Sequence, residues 1–216
     1  MHKTFAVVVG LWTSGVLWGQ TPMPDAPPVE YYFGAAASGV FNQPKLLHLS
    51  GPNLASNFSG RPSGREGFEA AVVRNLGRHW GLKADVSYLL SDSSGNGNFN
   101  GSVQPFEARS RAVNLLFGPE WKWRSRSRLT PYVHTLAGVA VVRAHFTSSG
   151  AGLSVADADT RAGAALAVGG GLDSRVIGRL SLRTGADYMP AFLGPQVPGG
   201  PRVQQQLRLT IGVKFH

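Results

Sequence analysis

The sequence predicts an all-β protein, an eight-stranded antiparallel up-and-down transmembrane β-barrel, and three observations carry that prediction. Segment after segment alternates apolar and polar residues at period two. The connections between those segments run long, short, long, short, long, short, long. No apolar run in the body of the chain has the length of a membrane-crossing helix.

The clearest segment is the last. From Gln206 to His216, Leu207, Leu209, Ile211, Val213 and Phe215 alternate with Gln206, Arg208, Thr210, Gly212 and Lys214. Successive side chains on a strand point to opposite faces, so one face is wholly apolar and the other polar, cationic or small. A soluble sandwich buries such an apolar row, whereas a tilted barrel strand turns it to lipid over about 9–11 residues.

The other strands follow in order. Val29–Ser38 sets Val29, Tyr31, Phe33, Ala35 and Ala37 against Glu30, Tyr32, Gly34, Ala36 and Ser38. Gly39–Arg65, rich in Gly, Pro, Asn and Ser, reads as a long loop. Glu66–Val73 returns to period two, and a short break, Arg74–Arg78, leads to Trp80, Leu82, Ala84, Val86 and Tyr88 opposite Gly81, Lys83, Asp85 and Ser87. Asp92–Pro105 reads as a second long loop. A fourth strand runs from about Ala108 to Trp123, with Leu116 as an apolar exception on its polar face. After the short Arg124–Arg128 connection comes Thr130–Phe146, then a third long loop, Thr147–Thr160, and a Gly/Ala-rich strand, Ala162–Asp173. Ser174–Gly178 turns the chain into Leu180–Tyr188, and Met189–Arg202 is the fourth long loop. Tight turns at one end and large loops at the other are the signature of an outer-membrane barrel, in which the short turns face the periplasm.

The amino terminus reads differently. Met1-His2-Lys3 is a short cationic start and Phe5–Trp18 an apolar segment, so residues 1–20 read as a secretory signal peptide, 21–28 as a Pro-rich lead-in and 29–216 as the barrel domain. There is no cysteine, which excludes disulfides, cysteine-ligated metals and a lipid-modified cysteine. The net charge of +9 and pI near 10.5 point to anionic partners, and the placement of the arginines decides which. Arg74, Arg78, Arg124, Arg126, Arg128, Arg175 and Arg179 fall in or beside the three short turns. That placement favours lipid phosphates at the membrane surface over nucleic acid.

If the polar rows face inward, the lumen holds Glu30, Glu69, Lys83, Asp85, Glu120, Asp173, Arg183, Asp187, Arg208 and Lys214. Charges withdrawn from water must pair, so these residues are expected to form an ion-pair network, with Arg183 or Asp187 meeting Arg208 or Lys214 across strands seven and eight. Such a network serves as a plug that fills a small barrel or as a gated ion path. Trp80, Tyr88, Trp121, Trp123, Tyr188 and Phe215 are candidates for an aromatic girdle at the bilayer interfaces. Phe41, Leu46, Leu47, Leu54, Phe58, Phe106, Phe192 and Leu193 lie in the expected long loops, where binding resides on rigid scaffolds.

Five short segments together resemble one family. They are Phe117-Gly118-Pro119-Glu120-Trp121, Thr130-Pro131-Tyr132-Val133-His134, Gly169-Gly170-Gly171-Leu172-Asp173, Ala186-Asp187-Tyr188 and the aromatic carboxyl end. Over Val29 to His216 the chain resembles the small outer-membrane β-barrels of the OmpA/OmpX type. The resemblance implies a place in the outer membrane of a Gram-negative envelope. It also implies a carboxyl-terminal aromatic signal, here Phe215 followed by His216, read by the outer-membrane insertion machinery.

No nucleophile motif accompanies His134 or His145, no spacing suggests a metal site, and Gly169–Gly171 precedes no helix that would cradle phosphate. The sequence therefore predicts a monomeric, non-enzymatic protein without cofactor. Its expected partners are outer-membrane lipids and lipopolysaccharide, and its role is envelope integrity or surface contact through long loops. Three alternatives stay open: a lipid-modifying enzyme of the same fold, a small gated pore, and a soluble barrel around an apolar ligand.

Overall fold

The computed structural model describes residues 27–41, 64–99, 102–124, 127–150, 153–194 and 203–215. The leader, most of the lead-in, Leu46, Leu47, Leu54, Phe58, Arg126 and His216 lie outside the described residues. Eight strands, β1 (Val29–Val40), β2 (Gly64–Asn75), β3 (Trp80–Phe99), β4 (Ser102–Lys122), β5 (Leu129–Gly150), β6 (Leu153–Ile177), β7 (Leu180–Phe192) and β8 (Gln204–Phe215), pair in sequence order. β8 also pairs antiparallel with β1, so the sheet closes and no edge is left unpaired within the barrel.

The rows point as the alternation requires of a barrel in lipid. Leu115, Val139 and Ile211 are 58%, 50% and 54% exposed, whereas Glu120 and Arg208 are fully buried. Water would reverse these rows. A closed sheet that satisfies its own backbone, wears an apolar belt and keeps its charges inside is the architecture of an outer-membrane barrel, and this protein spans that membrane.

At the turn end the connections are tight. Leu76 N donates to the Trp80 carbonyl at 2.9 Å, closing the β2–β3 turn. Between β6 and β7, Gly178 takes a φ of 54°, a left-handed conformation suited to a residue without Cβ. The β4–β5 ladder lapses between the pairs Phe117–Ala137 and Glu120–His134, with the register kept on both sides. Pro119 in that gap has no N–H to give the ladder. At Gly118, beside it, a side chain would run into the Thr135 carbonyl oxygen.

At the other end two of the four expected loops are strand. The β3–β4 ladder continues to Phe99–Ser102 and the β5–β6 ladder to Gly150–Leu153, while β4 and β5 stay paired out to Phe106–Ser148. The β2–β3 ladder, by contrast, stops at Glu66–Leu90 and the β6–β7 ladder at Ala164–Phe192. Four strands thus rise as a wall beyond the rim of the other four, by about 30 Å along β3 at strand rise. Asp92–Pro105 and Thr147–Thr160 escaped recognition because period-two patterning arises only where one face meets lipid or a packed interior. A ladder in which neither face does so needs only its backbone groups.

Candidate functional site in the lumen

The lumen has two layers. Its turn-end half is ionic, and all ten residues expected there point inward and are at most 5% exposed. In the middle of the barrel Lys83 lies 3.0 Å from Glu69 and 2.9 Å from Asp85. Arg208 reaches Asp85 at 3.0 Å and Asp187 at 2.6 Å. Below them Arg183 contacts Glu120 at 2.5 Å and approaches Asp173 at 3.5 Å; Lys214 contacts Asp173 at 2.6 Å and Glu30 at 3.2 Å. The expected meeting of strands seven and eight thus occurs as Asp187 with Arg208, whereas Arg183 turns to β4 and β6.

Three members were not expected. Lys122 shares the inward parity of Glu120 and bridges Glu120 at 3.0 Å to Glu30 at 2.6 Å. Its signal was present in the alternation, but it lies among the tryptophans at the strand end. Arg124, expected at lipid phosphates, instead turns into the barrel mouth, donating to Glu30 at 2.6 Å, Asn75 Oδ1 at 3.0 Å and the Arg78 carbonyl at 2.9 Å. A buried carboxylate within reach outcompetes a hydrated phosphate as its partner. His134 places Nε2 2.9 Å from Asp187 Oδ1, without hydrogen-bond alignment, and Nδ1 3.8 Å from Glu120, so it links the two tiers.

Six carboxylates and six cationic side chains meet in this network, which is therefore neutral when His134 is neutral. The whole +9 excess of the chain lies outside it. Aromatic rings wedge the network in place. The Arg183 guanidinium lies 3.7 Å from the Tyr132 ring centroid and 5.8 Å from that of Tyr32, and the Tyr132 hydroxyl donates to the Thr184 carbonyl at 3.0 Å. Gly34 and Gly185 leave the space into which the Tyr32 and Tyr132 hydroxyls project.

The loop-end half is apolar on its β3–β7 side. Leu89, Ala112, Leu116, Leu136, Ala140, Val142, Ala165, Ala167, Met189, Ala191 and Leu193 form one buried cluster with Ala36. A uniformly charged interior is thus corrected. Leu116, an exception on a polar face by sequence, is a member of this cap, and Leu193 points inward although it was expected among the loop-surface residues. Phe41 and Phe192 are exposed.

The aromatic candidates sit on the outside. Trp80 packs edge-on against Trp121 at 4.4 Å between centroids, Trp121 lies 6.2 Å from Trp123, and His79 stacks on Trp121 at 5.4 Å, all at the turn end. Phe215 is half exposed at the same end, its Cα opposite Tyr31 and Leu180. Tyr88 packs with Phe68 at 5.7 Å nearer the rim, and Tyr188 is exposed on β7 opposite Leu207. Among the described residues no group of three or more His, Asp or Glu is placed to hold a metal ion.

No protein-family model and no curated protein matches the chain. Similar solved structures include Ail, the attachment invasion locus protein of Yersinia pestis, at 19% identity and a TM-score of 0.49, covering 87% of this chain and 97% of that one. Neisserial surface protein A is 13% identical, with a TM-score of 0.49 over 88% and 97% of the two chains. The outer membrane protease OmpT from Escherichia coli is 7% identical, with a TM-score of 0.49 over 90% and 98%. Strand pairing and the inside-out surface establish the fold independently of these likenesses: this chain is a small, closed, eight-stranded β-barrel of the outer-membrane type.

Proposed function

We propose that this protein is a monomeric, non-enzymatic outer-membrane barrel with a plugged lumen, contributing to envelope integrity and surface contact through the wall formed by β3–β6. The observation that carries the reading is the closed interior. A neutral, mutually paired ionic layer lies under a second buried layer that is apolar on its β3–β7 side, so ions meet paired charges at one level and packed side chains at the next. The surface left for function is the outside of the wall and the membrane belt beneath it.

The exterior supports lipid as the first partner. Directly above the apolar pair Val113–Val141, the next outward pair on β4 and β5 is Arg111–Arg143, both exposed. Two adjacent guanidinium groups at the rim of the belt suit the phosphates of lipopolysaccharide in the outer leaflet. Insertion would use the carboxyl-terminal aromatic signal, Phe215 and His216. A lipid-modifying enzyme draws less support, because the buried His134 has only carboxylates, and no serine hydroxyl, among its described polar contacts.

Deleting the gene in its native bacterium and testing sensitivity to bile salts and bulky antibiotics checks this role. The expected result is sensitisation, restored by the full chain and only partly by a chain whose β3–β4 and β5–β6 hairpins are trimmed to the rim. An intact barrier in the deletion strain, or an altered lipid profile restored only when His134 is intact, would contradict it.

A further inference from the structure

Among the described residues the balanced network leaves one buried cation aside. Arg65 points into the lumen from the second position of β2 and is 3% exposed. Its Nη2 donates to Ser110 Oγ at 3.3 Å, while Nε and Nη1 meet no acceptor. No described carboxylate pairs with it, and all six lumen carboxylates are committed to other cations. Glu66 and Asp92, near it in the sheet, are exposed. The β1–β2 and β7–β8 connections bring no acid in sequence: residues 41–64 and 193–203 contain no Asp or Glu, and their charged residues are Lys45, Arg61 and Arg202. A guanidinium withdrawn from water without a counter-charge is costly, so the surroundings of Arg65 call for an anion.

Those surroundings are hydroxyl-rich. Ser38 is the direct Cα partner of Arg65, and its buried Oγ has no hydrogen-bond partner. Ser91, buried one residue beyond the Glu66–Leu90 pair, is the Cα partner of Ser110, which already holds the guanidinium. Hydroxyls beside a guanidinium with open N–H groups form a donor set for an oxyanion.

We infer that Arg65, with Ser38, Ser91 and Ser110, binds a small oxyanion, a carboxylate or phosphate group, at the loop end of the lumen. The group is either a free anion or the acidic terminus of a larger surface molecule, since the chemistry is shared. The site does not depend on the wall's role in surface contact.

The test follows the temperature at which the full-length barrel in detergent micelles loses its compact electrophoretic band, as acetate or phosphate is titrated in at constant ionic strength. The parent midpoint is expected to rise by about 3 °C or more, and Arg65→Gln and Arg65→Met are expected to lose that rise. A parent that does not respond, or variants that respond equally, overturns the site. If neither Arg65 variant folds, Ser110→Ala gives the reading: a response at least about twofold weaker supports the site, and an undiminished one overturns it. A carboxylate-bearing oligosaccharide separates the sources. Acting below the acetate concentration it identifies a larger acidic partner, and acting at equal carboxylate concentration it identifies a free anion; both results support the site.

Discussion

The turn-end half of the lumen and the β3–β7 side of its loop-end half are built in one closed sheet yet filled by opposite chemistry. In the first half, Arg183, Lys83 and Arg208 are each surrounded by carboxylates from their own, neighbouring or facing strands. In the second, leucines and alanines of β3–β7 meet without a polar partner. Ion pairs are directional and punish any slip of register, because a one-residue slip would turn every charge to lipid. Apolar side chains only need to fill space. The ionic half therefore specifies the barrel and the apolar half seals it.

Breaking the first half should have the largest effect. Arg208 is fully buried between Asp85 and Asp187, and Arg208→Met leaves Asp187 without its cation and Asp85 with Lys83 alone. A loss of about 3–5 kcal/mol in denaturant unfolding is expected. In the sealing half, Leu136→Ala should cost about 2–4 kcal/mol by the cavity it leaves, measured the same way, with the compact band retained at low temperature. The turns sharpen the contrast further. Arg124→Ala removes a partly buried contact to Glu30 and should cost about 1–3 kcal/mol, whereas the exposed Arg128→Ala should change stability by less than about 0.5 kcal/mol. Equally small is the expected effect of trimming the β3–β4 hairpin between Ser94 and Glu107. It lies outside the closed sheet and should leave the unfolding midpoint of the barrel unchanged within about 0.5 kcal/mol.

What could be read from sequence follows the same division. Every strand that meets lipid on one face and packed side chains on the other was legible, as in β8, where Leu207 to Phe215 and Gln206 to Lys214 separate cleanly. The inward charges were legible for the same reason. Lys122 and Arg124 were not, because they stand where the strand ends among tryptophans and arginines that suggest the interface, and only the position of Glu30 across the barrel recruits them inward. The upper parts of β3–β6 were hidden because Ser, Gly and Asn there carry no alternation. The apolar cap was hidden because small residues such as Ala112, Ala140, Ala165 and Ala167 fit either face, and only closure shows which of them meet.

Two successive buried layers close the lumen. Recording from planar bilayers after insertion of the purified barrel is the decisive test. A silent membrane across the usual voltage range, with no unitary steps, is the expected result. Reproducible unitary conductance that disappears when Arg208 or Leu136 is replaced by a bulkier residue would contradict it, and would make the ionic layer a gate.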